Sequence, residues 1–178
     1  MALIAWIKKN HGCSLSIEWV KAQPDRSVEA LWRTCENGSW MIWAYERSDS
    51  LDTIKHLDPV RFFLANRVIR NAQKGVKQAG RPEWPEPFVE IKDEDTLNQA
   101  MQTLFRQYHF EFNNRPMERI DFTPQNLKLS YDLLCHLQSN RMDLSRLTYE
   151  IFIIQAGWEE VLAGYCREVL PVPIIKLD

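Results

Sequence analysis

Ser27-Val28-Glu29-Ala30-Leu31-Trp32-Arg33-Thr34-Cys35-Glu36-Asn37-Gly38-Ser39-Trp40-Met41-Ile42-Trp43-Ala44-Tyr45 is the stretch whose reading decides the fold. The Ser27 hydroxyl is suited to capping a helix start. Val28, Leu31, Trp32 and Cys35 then recur at i, i+3, i+4 and i+7, which is one apolar stripe on a helix. Asn37-Gly38 reads as the end of that helix. Trp40 to Tyr45 lacks strict alternation, so it reads as a buried helix in preference to a strand.

Outward from this stretch the same period recurs. On the N-terminal side, Ser14 is the expected cap of a short helix with Leu15, Trp19 and Ala22 on one face, stopped by Pro24. On the C-terminal side, Asp58-Pro59 reads as an N-cap followed by proline at the first helical position. The helix it opens is expected to run to about Ala79, with Gly80 as its cap and Val68, Ile69, Ala72, Val76 and Ala79 toward the core. Residues 81–91 hold three prolines and read as an extended connector. Asp93 and Asp95 sit at a helix start, followed by Leu97, Met101, Leu104, Phe105 and Tyr108 as one face. Thr123-Pro124 repeats the cap-plus-proline device before Leu127, Tyr131, Leu134 and Leu137. Asn140 or Asp143 opens a last helical stretch, with Leu147, Ile151, Ile154, Trp158, Val161 and Tyr165 inward, and Ala156-Gly157 and Ala163-Gly164, seven apart, allowing close approach. The expectation is an all-α fold of six to eight helices with a central C-terminal helix. It divides into an N-terminal half, 1–80, a proline-rich connector, 81–92, and a C-terminal half, 93–178, sharing one core.

Composition bounds the class. The chain has 178 residues, 45% of them apolar and 26% charged, which suits a globular domain and not a disordered segment. No apolar run is long enough to span a bilayer. Residues 1–7 lack a basic n-region, so no signal peptide is expected and the chain reads as cytoplasmic. The four cysteines, at 13, 35, 135 and 166, form no Cys-x-x-Cys pair and are expected to be reduced thiols. Six glycines are few for a sheet-and-turn protein.

Familiar catalytic chemistry is absent. His11, Cys13, Cys135 and His136 match no zinc spacing, so no metal is expected. Asp93/Asp95 read as helix-start acids and Glu159/Glu160 as a solvated face, not as an acid–base pair. There is no nucleophile elbow and no phosphate-cradling glycine loop, so no catalytic residue and no cofactor is assigned. An enzyme with an unrecognised site remains an alternative. Trp32, Trp40 and Trp43 offer a base-stacking platform, but their apolar neighbours and helical spacing favour a structural role, shared with Trp19.

Charge is uneven along the chain. The net charge of −2 resolves into 0 over residues 1–57, +5 over 58–82 and −7 over 83–178. Within the basic block Arg67, Arg70, Lys74, Lys77 and Arg81 follow at spacings of 3, 4, 3 and 4. At 100° per residue they fall within an arc of roughly 80°, and no acid occurs from 59 to 82. The plain reading is a solvated face balancing the acidic C-terminal half. The functional one is a surface for a macromolecule with acidic character, a protein or a nucleic-acid backbone, with no membrane involved.

Glu18-Trp19-Val20 and Trp32-x-x-Cys35-x-x-Gly38-x-Trp40-Met41-x-Trp43, with Arg167-Glu168-Val169-Leu170-Pro171, resemble a pattern of uncharacterised bacterial and phage mobile-element proteins. That resemblance carries no activity. It implies a phage or mobile-element setting, in which small proteins often inhibit or adapt host machinery. The expectation is therefore a non-catalytic binding protein, an inhibitor or adaptor of a host defence complex acting through the basic helix. The alternative is a nucleic-acid-binding small subunit of a ribonucleoprotein.

Overall fold

Side-chain caps fix where the helices begin. The computed structural model describes residues 2–50, 53–78, 89–113, 123–138, 144–148 and 159–177, with backbone only at 53–54, 74–78, 107–113 and 123–129. Among these residues every regular element is an α-helix: α1 (Ala2–Lys9), α2 (Ser14–Ala22), α3 (Val28–Thr34), α4 (Gly38–Glu46), α5 (Thr53–Gln78), α6 (Glu94–Asn113), α7 (Thr123–Gln138), α8 (over 144–148) and α9 (Glu159–Val169). The all-α class is what the periodicity predicts.

The helices fall into two units, 1–58 with 143–178 and 59–142. Each of the halves read from the sequence, 1–80 and 93–178, contributes to both units.

In the first unit α1 packs on α2 and α4 on α9. Ser27 caps α3 by accepting from the Ala30 amide at 3.3 Å. Three boundaries differ from the sequence reading. Cys13, not Ser14, caps α2, and its sulfur accepts from the Ser16 amide. Asn37-Gly38 opens α4 instead of closing α3, because Asn37 Oδ1 accepts from the Trp40 amide at 2.9 Å. An asparagine side chain can serve either end of a helix, and only the position of its partner amide decides. Finally, α5 begins at Thr53, which leaves Pro59 inside the helix. Proline removes one amide donor there, and the turn before it is held by tertiary contacts: Leu57 is buried, and Tyr45 Oη lies 2.6 Å from His56 Nδ1.

Two apolar faces are rotated from the expected ones. In α2 the buried positions are Ser16 and Val20, while Leu15 is 65% exposed. In α9 they are Leu162, Ala163 and Cys166, while Val161 is 47% exposed. A shift of one residue turns a helix face by about 100°. Each face is set by the helix opposite it.

In the second unit α6 packs on α7. Val68, Ile69, Ala72, Leu97, Leu104, Leu134 and Leu137 are buried as read. Met101 and Tyr131 are half-buried, and Phe105 is exposed, its ring 5.4 Å from that of Tyr131. Asp93 Oδ1 accepts from the Thr96 amide at 2.9 Å, the helix-start role expected of that acid. The Asn66 amide pairs with both backbone groups of Ile91, at 2.6 and 2.8 Å, which fastens the segment before α6 onto α5. Arg61, counted in the basic block, is buried; it pairs with Glu94 and donates to the Leu137 carbonyl at 3.2 Å.

Candidate functional site

The predicted basic surface lies on the second-unit part of α5. Arg70 is exposed and Arg67 is half-buried, with its guanidinium carbon 5.9 Å from the Phe63 ring centroid. Burial, and then the neighbouring Arg70 charge, lower the pKa of Arg67. Lys74 and Lys77 fall within α5, but their side chains lie outside the described residues, as does Arg81 entirely. Val68, Ile69 and Ala72 are buried on the other side of the helix, so the face carrying Arg67 and Arg70 is the one α5 leaves toward solvent.

The tryptophan motif forms a second candidate in the first unit. Trp6 meets Trp43 edge-on at 5.5 Å, Trp19 lies 6.1 Å from Trp40, and Trp32 lies 6.2 Å from Tyr45. Such pairs contribute about 0.5–1.5 kcal/mol beyond their buried area. Trp32 is buried; Trp19, Trp40 and Trp43 are half-buried. The five indoles do not fill the space between them. They line a partly open pocket of about 80 Å³, which is lined also by Pro173 and Ile175.

The two halves of the sequence resemblance meet. Arg167 donates to the Cys35 carbonyl oxygen at 2.5 Å and so closes the C-terminus of α3. Gly38 lies against α9: a Cβ there would sit 2.5 Å from Leu162 Cγ and 2.8 Å from the Ala163 amide nitrogen. The close approach expected at Ala163-Gly164 therefore uses the glycine of the opposite helix, and around Gly164 a Cβ would meet nothing within 4 Å. Burial pushes the Cys35 thiol up to about 11 and the Cys166 thiol up to about 12, so neither is a nucleophile at neutral pH.

Beside this junction lies a polar chain that sequence reasoning missed. Glu159 is not on a solvated face. Its carboxyl group accepts from the Ser39 amide and meets the Ser39 hydroxyl, each at 3.0 Å. The Ser39 hydroxyl lies 2.9 Å from Thr148 Oγ1, which lies 2.7 Å from the Ser145 carbonyl oxygen. Two hydroxyls bring two protons to these three links. The Ser39 hydroxyl donates to the Glu159 carboxylate, and the Thr148 hydroxyl, set between Ser39 Oγ and the Ser145 carbonyl oxygen, has one proton for two acceptors. Burial raises the Glu159 pKa against the lowering effect of the Ser39 and Gly38 bonds. No spacing rule joins residues 39, 148 and 159, so no local signal in the sequence reveals the chain.

Among the described residues, no three His, Cys, Asp or Glu side chains gather in a way that would hold a metal ion, and no helix is long and apolar enough to cross a membrane. Comparison with family models, with curated proteins and with solved structures finds no match.

Proposed function

We propose that the protein is a non-catalytic binding protein that engages an acidic macromolecular surface through the basic face of α5. The observation that supports this reading is the Phe63–Arg67–Arg70 row. Two arginines sit close enough that one lowers the pKa of the other, and the first lies over an aromatic ring. A partner of opposite charge meeting this face gains electrostatic steering. The row continues toward Lys74 and Lys77 along the same helix. The finer reading, a phage-encoded inhibitor or adaptor of a host complex, draws on the resemblance of the tryptophan and Arg-x-x-x-Pro motifs.

A nucleic-acid partner is the second reading. It is favoured by the ring-and-guanidinium pairing of Phe63 with Arg67, since aromatic and arginine groups together receive both bases and phosphates. The test replaces Arg70, Lys74 and Lys77 with Glu and follows the anisotropy of a labelled poly-glutamate peptide and of a labelled DNA duplex. Folding is expected to stay intact, because Val68, Ile69 and Ala72 supply the buried face of this helix. Binding is expected to collapse. With duplex DNA as the true target, log affinity falls with log salt at a slope of roughly −0.9 per neutralised phosphate. Unchanged binding of both probes by the triple variant refutes the surface.

A further inference from the structure

The indole-lined cavity has no part in the basic surface. Its walls come from α1 to α4: Trp6, Trp19, Trp32, Trp40 and Trp43. Well-packed interiors leave few voids larger than a water molecule, yet here five of the largest side chains stand around open space. The lining holds no charged side chain. Its surface is almost wholly apolar, and its hydroxyl and thiol are already engaged: Ser16 Oγ donates to the Cys13 carbonyl at 2.8 Å, and Cys35 Sγ donates to the Asn37 carbonyl at 3.4 Å. A polar ligand would therefore leave its hydrogen-bonding groups unmatched. A cation would find aromatic faces, but no carboxylate lines the walls to balance it. A neutral ring gains both apolar burial and ring-to-ring contact.

The size sets the ligand and the non-helical part of the wall sets the route. About 80 Å³ is roughly half the volume of an engineered apolar cavity that takes up benzene, so one ring fits when part of the wall gives way. The wall outside the helices is Pro173 and Ile175, which face the pocket from a segment without helix or strand, while Val172 and Ile174 are exposed. The segment is tied to the loop after α4 by Asp49 N to Ile174 O at 2.8 Å, Ile174 N to Ser50 Oγ at 3.1 Å and Lys176 N to Asp49 Oδ2 at 3.3 Å. Bonds of this kind open locally at far lower cost than a packed helix.

We propose that this cavity binds a small neutral ligand presenting a single apolar ring, admitted when the 171–177 segment lifts from the tryptophans. The probe is benzene, titrated into the full chain. Proton NMR is expected to show intermolecular NOEs from benzene to the indole rings of the cavity, and the melting temperature rises with benzene concentration as for any ligand selective for the native state. Tetramethylammonium is expected not to displace the benzene. Ala44→Leu adds a branched side chain at the cavity wall and is expected to abolish the NOEs while the helical circular dichroism is retained. Val28→Phe fills from another wall and serves where Ala44→Leu does not fold. Absence of NOEs in the wild-type chain near benzene saturation overturns the proposal. So does their persistence in a folded, filled variant, or displacement of benzene by tetramethylammonium.

Discussion

Removing the carboxyl group of Glu159 without removing its shape tests the cost of burying its charge directly. In Glu159→Gln the amide oxygen still accepts from the Ser39 amide, and the NH₂ group donates to the Ser39 hydroxyl. The side chain is then neutral at every pH and keeps both contacts to Ser39. In the wild type it is neutral only while Glu159 is protonated, and burial penalises its charged form. Its folded pKa is raised above the ordinary value of 4.5, so the native state binds the proton more tightly than the unfolded chain. Stability contributed by this group is therefore fully present below about pH 4.5 and is lost as pH rises through the higher folded value. The site is only half-buried, so solvent screening keeps the whole swing to about 1 kcal/mol or less. Glu159→Gln is expected to match the wild type near pH 4 and to exceed it by up to that amount at pH 8. Glu159→Ala leaves the Ser39 amide without its acceptor and is expected to cost about 1–3 kcal/mol at both pH values. Urea unfolding of the three proteins across this range, plotted as differences from the wild type, removes the contributions of exposed acids such as Asp25 and Asp93. A Gln variant less stable than the wild type at pH 8, or a difference that grows toward acid, refutes the reading that burial of the charge governs this carboxyl group.

Two further outcomes follow from the same junction. Gly38→Ala forces a methyl group to within 2.5 Å of Leu162 and 2.8 Å of backbone nitrogen, so α4 and α9 must separate; a loss of about 1–3 kcal/mol is expected in denaturant unfolding, whereas Gly164→Ala is expected to cost nothing measurable. Thiol titration of the native protein with an aromatic disulfide reagent should modify Cys13, which is exposed, and spare Cys35 and Cys166, which react only after unfolding because burial holds both as neutral thiols.

Much of the local structure is legible in single residues. Ser27 and Asp93 cap the helices that their side chains imply, and Leu31, Trp32, Cys35, Val68, Ile69 and Ala72 face inward at the helical period. The basic row on α5 is visible because like charges repeated every three or four residues need only one helix to align them. The same reasoning fails wherever the deciding partner lies far along the chain. Asn37 reads as an end and is a beginning; α2 and α9 turn a face by one residue; Arg61 reads as surface charge and is buried against Glu94.

The sequence by itself therefore determined the helical class, most helix positions, the reduced state expected of the thiols and the charge of α5, since each follows from intervals of a few residues. Tertiary structure alone decided that Arg167 closes the helix ending at Cys35, that Glu159 reaches Ser39 across 120 positions, and that five tryptophans line a pocket instead of filling it. Periodicity states which side of a helix is apolar. It does not state which other helix will meet that side, and pKa shifts, close glycine contacts and voids all arise at such meetings.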